Sequence, residues 1–65
     1  MTKNRDDLDA LIAKLQGAGH NVTRHENEGP HGYYIVLVND VPISHTALTA
    51  ATCIKMLRDY FDYHD

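Results

Sequence analysis

One stretch near the middle limits what this chain can become: Gly32-Tyr33-Tyr34-Ile35-Val36-Leu37-Val38-Asn39-Asp40-Val41-Pro42-Ile43. It is the only continuous apolar run in the sequence. β-Branched, aliphatic and aromatic residues fill Tyr33 to Val38, bounded by Gly32 on one side and Asn39-Asp40 on the other. That pattern predicts a strand over 33–38, a tight turn, and a short returning strand over 41–43. Pro42 has no N–H to give a ladder, so the returning strand belongs at an edge or stops there. The turn pair Asn39-Asp40 is a weaker hairpin signal than Asn-Gly.

The flanks supply the other elements. Leu8, Leu11, Ile12 and Leu15 sit at i, i+3, i+4 and i+7, the apolar stripe of an amphipathic helix, predicted over 5–17. Asn4 is a candidate N-cap, with Asp6 and Asp7 at the positive end of the helix dipole. Gly17 and Gly19 supply a left-handed stop. Residues 20–26 read as a polar edge strand around Val22 and Thr23. The segment 27–32, Asn-Glu-Gly-Pro-His-Gly, is dense in turn residues and reads as an exposed loop. Ser44 or Thr46 is a candidate cap for a last helix over 46–62. Its main stripe is Ala47, Ala50, Ala51, Ile54, Leu57 and Phe61, with a weaker stripe of Cys53, Met56, Tyr60 and Tyr63.

The order is α-β-β-β-α in one domain, residues 1–65. The class is α+β. Strands joined by short loops must be antiparallel, because a parallel crossover needs a dozen or more residues. The expected architecture is a three-stranded antiparallel sheet with strand 33–38 at its centre and both helices packed on one face. That central strand is apolar on both sides: Tyr33, Ile35 and Leu37 point one way, Tyr34, Val36 and Val38 the other. Two helices cover only one face of such a sheet. The other face is therefore expected to be an interface, displaying Tyr33 or Tyr34, or else to be shielded by long side chains from neighbouring strands or by a helix end that wraps around it.

Composition narrows the function classes. A 65-residue chain buries only about 60% of its unfolded surface, so its core is small. The single cysteine, Cys53, rules out an internal disulfide and a cysteine-rich zinc site. No apolar run approaches the roughly 18 residues of a membrane span. Residues 1–7 lack the apolar stretch of a signal peptide. With an unpaired thiol, this predicts a cytoplasmic protein. The net charge of −3 does not favour a phosphate-binding surface, so direct nucleic-acid binding is not expected.

The candidate chemistry is sparse. His20, His25, His31, His45 and His64 show no tight ligand spacing, and zinc needs three or four converging ligands. His25 and His31 flank one loop and are able to approach each other. Cys53 falls inside the last helix, where a buried, inert thiol is the default. Ser44 and His45 are neighbours and point in different directions. No catalytic residue, metal or cofactor is expected. The acids Asp59, Asp62 and Asp65 project from overlapping sides of the last helical turns, with Tyr60 and Tyr63 among them. Such a surface suits docking to a basic partner, with aromatic contact area added.

Two resemblances bear on this pattern. The α-β-β-β-α order resembles the double-stranded-RNA-binding domain. That family carries a lysine cluster at the start of its last helix, where this chain has Ser44-His45-Thr46-Ala47-Leu48-Thr49, with no Lys or Arg. This resemblance implies the fold without the phosphate clamp. The same order, with Gly29-Pro30-His31-Gly32-Tyr33-Tyr34, is similar in outline to the small HicA-type ribonuclease toxins. That likeness would make His31 catalytic.

The leading expectation is a small, acidic, non-enzymatic protein-interaction module. It would act as an inhibitor or regulator, of the kind a phage or mobile element encodes, on a partner such as a basic nucleic-acid-binding protein. The expected contact residues are Tyr33, Tyr34, Asp59, Tyr60, Asp62 and Tyr63. The alternatives are a toxin ribonuclease using His31 and a structural homodimer.

Overall fold

A computed structural model of the protein describes residues 3–26 and 32–62. The order is α1 (Lys3–Gly17), β1 (Val22–Glu26), β2 (Tyr33–Val38), β3 (Val41–Pro42), β4 (Leu48–Thr49) and α2 (Ala50–Phe61). The strands form one antiparallel sheet, and the class is α+β.

The stripe Leu8, Leu11, Ile12 and Leu15 is buried along α1, as its spacing requires. The helix begins at Lys3, so Asn4 lies inside its first turn instead of capping it. At the other end Gly19 adopts φ +98°. The His20 N–H reaches the Leu15 carbonyl at 3.0 Å and the Gly19 N–H reaches Gln16 at 3.0 Å. This crossed pair of bonds is a Schellman stop, and Gly19 alone supplies its left-handed residue. The strand expected from residue 20 begins instead at Val22, the His20 N–H being bonded to the helix end.

β2 is the centre of the sheet. Residues Tyr34 to Val38 pair with β1, from Val22 opposite Val38 to Glu26 opposite Tyr34. β3 follows through a two-residue turn in which Asn39 (φ 54°) and Asp40 (φ 66°) are both left-handed. That is a type I′ turn, whose twist matches the flanking strands.

The third strand is not continuous. β3 places Pro42 opposite Leu37, whereas β4 places Leu48 opposite Tyr34. Continuing the β3 register would bring Leu48 opposite position 31, so three extra residues are looped out between the two pieces. The Ile43 N–H still bonds the Val36 carbonyl (3.0 Å). The chain then swings away through Ser44–Thr46, where the Ser44 hydroxyl donates to the Thr46 carbonyl (2.7 Å). The expected three-strand order thus becomes four strands, with β3 and β4 sharing one side of β2.

This detour also moves the start of the last helix. Leu48 and Thr49 pair with the sheet, and α2 begins at Ala50 instead of 46. Neither Ser44 nor Thr46 caps it; Thr49 does, its hydroxyl accepting the Thr52 N–H at 3.4 Å. The buried face of α2 is Ala50, Cys53 and Leu57, with Ile54 and Phe61 packed against the cluster. Cys53 therefore belongs to the main stripe, and Ala51 is exposed. The later helix start rotates the buried arc relative to the one that Ala47 would have anchored.

The core lies between the two helices and one face of the sheet. Leu8, Leu11, Ile12, Leu15, Val22, Tyr34, Val36, Val38, Ala50, Cys53 and Leu57 form its buried cluster. Both helices sit on this face. Arg24 closes the cluster at the β1 side: its guanidinium lies 4.9 Å from the Tyr34 ring centroid. The same guanidinium reaches α1, donating from Nε to Asp9 Oδ1 (2.6 Å) and from Nη2 to Oδ2 (3.2 Å).

Candidate interaction surface

Alternation along β2 decides what the second face of the sheet displays. Tyr34 is 4% exposed, and Val36 and Val38 are buried beside it. Of the two tyrosines expected at the surface, Tyr34 is thus a core residue. Its register partner Glu26 and its neighbour Arg24 share the helix-covered side. Tyr33, 40% exposed, with half-buried Ile35 and Leu37, forms the row that points away from both helices.

Directly opposed residues in an antiparallel pair share a face. The open face can therefore be assembled from the register. Thr23 stands opposite Leu37 and His25 opposite Ile35 on the β1 side. On the other side Pro42 stands opposite Leu37 and Thr49 opposite Tyr33. Ile35 faces the break between β3 and β4, where no strand residue stands opposite it. None of these seven residues is Lys, Arg, Asp or Glu, in a chain where 23% of residues are charged. The charged residues of β1, Arg24 and Glu26, fall on the opposite side.

The sheet edges differ in their protection. The Asn21 carbonyl accepts from the Asn39 N–H at 2.8 Å, so it points toward β2. By alternation the Val22 carbonyl points outward from the free edge of β1. There the Gln16 side-chain amide donates to it at 2.8 Å. A side chain from α1 thus occupies a position that an incoming strand would use.

The acidic end of α2 is a separate surface. Asp59, Tyr60 and Asp62 are all exposed, Tyr60 at 57%. The Tyr60 ring meets Phe61 edge-on at 4.9 Å, and Phe61 stacks obliquely on His20 at 4.4 Å. Asp62 ends the helix in the left-handed conformation, its N–H directed to the Arg58 and Asp59 carbonyls. Tyr63 and Asp65 lie outside the described residues. Asp9 is bound by Arg24, and Asp7 lines a groove of about 350 Å³ between the helices beside Lys14 and Arg58.

The titratable groups are scattered. His20 stacks on Phe61, His25 is on the open face and His45 is exposed in the detour between β3 and β4. His31 and His64 lie outside the described residues, so the toxin-like site has no described geometry. Among the described residues no group of three or more His, Cys, Asp or Glu could hold a metal ion. Cys53 is buried with its sulfur 3.6 Å from the Tyr34 and Leu48 carbonyls, and burial pushes its thiol pKa up. A thiol held protonated in this way is a poor nucleophile. Among the described residues no helix is long and apolar enough to cross a membrane.

The sequence signalled the open face but not its composition. The alternation of β2 was legible; the parity facing the helices was not. Ile35 and Leu37, with Thr23, His25, Pro42 and Thr49, enter the candidate surface only through the strand register. Comparison with protein families, with curated proteins and with solved structures found no match to this chain.

Proposed function

We propose that this chain is a non-enzymatic protein-interaction module whose contact surface is the helix-free face of its sheet. The observation that carries the reading is the row Tyr33, Ile35 and Leu37, left without helix cover, whose described register partners Thr23, His25, Pro42 and Thr49 include no Lys, Arg, Asp or Glu. Depletion of charge around aromatic and aliphatic residues is the mark of the centre of a protein interface, not of ordinary solvated surface. A nucleic acid would need Lys or Arg at those positions. Binding there would let so small a domain act as a regulator or inhibitor, by occupying a partner's surface. A cytoplasmic setting accords with the buried, unpaired thiol.

The test is site-specific photo-crosslinking in cells that express the protein. A photoreactive residue at position 33 is expected to give discrete adducts that vanish when Ile35→Lys is added. The same probe at position 55, exposed on α2, is expected to give none. Equal labelling from both positions, or none from 33, would sink the reading.

A second reading rests on the exposed group Asp59, Tyr60 and Asp62. These residues suit a basic partner, such as a nucleic-acid-binding protein. Reversing the charge of Asp59 and Asp62 should then weaken capture of that partner and flatten its salt dependence. Unchanged binding in the double variant would remove this surface.

A further inference from the structure

We infer that residues 46–49 are a strand-to-helix switch. In it, β4 releases β2 and becomes the first turn of a longer α2, baring the edge of β2 at Tyr33 and Tyr34. Two states compete for the same residues, and the chain carries the signals for both. In the observed one, Leu48 and Thr49 pair with Tyr34 and Tyr33. In the other, Thr46 is the N-cap, and Ala47 extends the row of Ala50, Ile54, Leu57 and Phe61 backward by one turn. The residues looped out between β3 and β4 supply the slack that the change of path needs.

The hydrogen bonds of one state convert into those of the other. The Ile43 N–H bonds the Val36 carbonyl. By alternation Tyr34 also turns its N–H and C=O toward this edge, so Tyr34 and Leu48 are the hydrogen-bonded pair of β4. The Cys53 sulfur lies 3.6 Å from both carbonyls of that pair. Release of β4 gives up the pair and frees the Leu48 carbonyl to accept the Thr52 N–H, the i to i+4 bond of a helix. In the observed state that N–H goes to the Thr49 hydroxyl at 3.4 Å, a long bond.

Leu48 keeps the strand form the major one. It packs against the core cluster, whereas a helical turn would carry it to the side of Thr52 and Lys55, both exposed. Against that stands the shortness of β4, two residues in all. The helical form is therefore a minor state of about 0.1–10%, which a ligand of that form is able to draw up. It offers the Tyr34 N–H and C=O, next to the unopposed Ile35, to an extended segment that adds to the sheet.

Amide hydrogen exchange and Cα chemical shifts, measured by NMR on two variants, test this. Thr49→Glu removes the cap of the short helix and places a glutamate three residues after Thr46, completing a capping box for the long one. It is expected to speed exchange at the Tyr34 and Leu48 amides about tenfold and to move the Cα shifts of 47–49 toward helix. Ala50→Pro suits the strand form, where Ala50 is the first helical residue and Thr49 is extended (φ −62°, ψ 157°). It denies the long helix, in which Thr49 is helical, and is expected to slow exchange at the same two amides about tenfold. The Ile35 and Leu37 amides, in the ladder with β1, are expected to keep their protection and so report an intact fold. Unchanged exchange in Thr49→Glu would overturn the inference. Faster exchange without helical shifts would also overturn it, because β4 then only frays. So would exchange in a folded Ala50→Pro protein as fast as in wild type. Where Ala50→Pro loosens the ladder amides too, Thr49→Glu alone decides.

Discussion

Arg24 is the residue whose role departs furthest from its sequence context. It shares parity with Val22, the one clear apolar residue of its strand, yet its own charge would ordinarily send it to solvent. The structure resolves this by letting its stem and guanidinium cover Tyr34 while its donors bind Asp9. The hydrogen bond from Arg24 is the largest influence on the Asp9 carboxyl and lowers its pKa, against a smaller opposing effect of burial. A carboxyl whose pKa is depressed by folding contributes stability above its unfolded pKa. That contribution is lost as the pH falls through the folded value. Asp9 is 46% exposed in its side chain, so solvent screening keeps the pair weak. Asp9→Asn is expected to cost about 1 kcal/mol or less near pH 7. The gap between wild type and variant should close as the pH drops below the ordinary carboxylate range, near pH 4. Urea titrations of both proteins across that range measure it. A gap that persists in acid would mean that shape, not charge, holds the contact.

At the scale of elements, the short segment between β3 and α2 sets the geometry. Ala47 and Leu48 extend the helical apolar pattern backward, and Ser44 and Thr46 are good capping residues. Local preference therefore placed the helix start near 46. Pairing of Leu48 and Thr49 with Tyr34 and Tyr33 outweighs that preference. It satisfies β2 backbone groups that would otherwise face an empty edge. Thr49 thus serves twice, as the last strand residue and as the N-cap of α2. Thr49→Ala is expected to destabilise the protein by about 1 kcal/mol. Ser44→Ala, which removes only this half-buried residue's hydroxyl bond to the Thr46 carbonyl, should cost about 0.5 kcal/mol, the low end for a single hydrogen bond. Thermal melts of the two variants decide between the caps. Equal losses would mean that the Thr49 hydroxyl contributes little to the helix.

For the whole molecule, the decisive quantity is the size of the core. Among the described residues eleven buried ones hold two helices against one sheet face, and a domain of this length has roughly 3–10 kcal/mol of stability in all. Leu57 is fully buried. Leu57→Ala should cost about 2–5 kcal/mol, a large share of that total. Leu57→Met, which keeps the volume, should cost less than about 1.5 kcal/mol. Denaturant midpoints with unchanged slopes would report these losses directly. A Leu57→Ala protein as stable as wild type would require a core that collapses freely around the vacancy.

Periodicity alone determined the helix stripe of α1, the extent of β2, the α-β-β-β-α order and the antiparallel sense of the sheet. These follow from local geometry: 3.6 residues per turn, two per pleat, and connections too short for a crossover. The tertiary structure decided the rest. It split the third strand, moved the cap to Thr49, shifted Cys53 from the weaker stripe of the last helix to its main one and chose Tyr34 over Tyr33 for burial. β2 is apolar on both faces, so its own sequence does not choose a side. The choice came from partners distant in sequence: Val22 in the core cluster, and Arg24 reaching both Tyr34 and Asp9. The same choice leaves Tyr33 exposed and Ile35 and Leu37 half-buried on the side away from the helices, because a strand buried by helices on one side has nothing of theirs on the other.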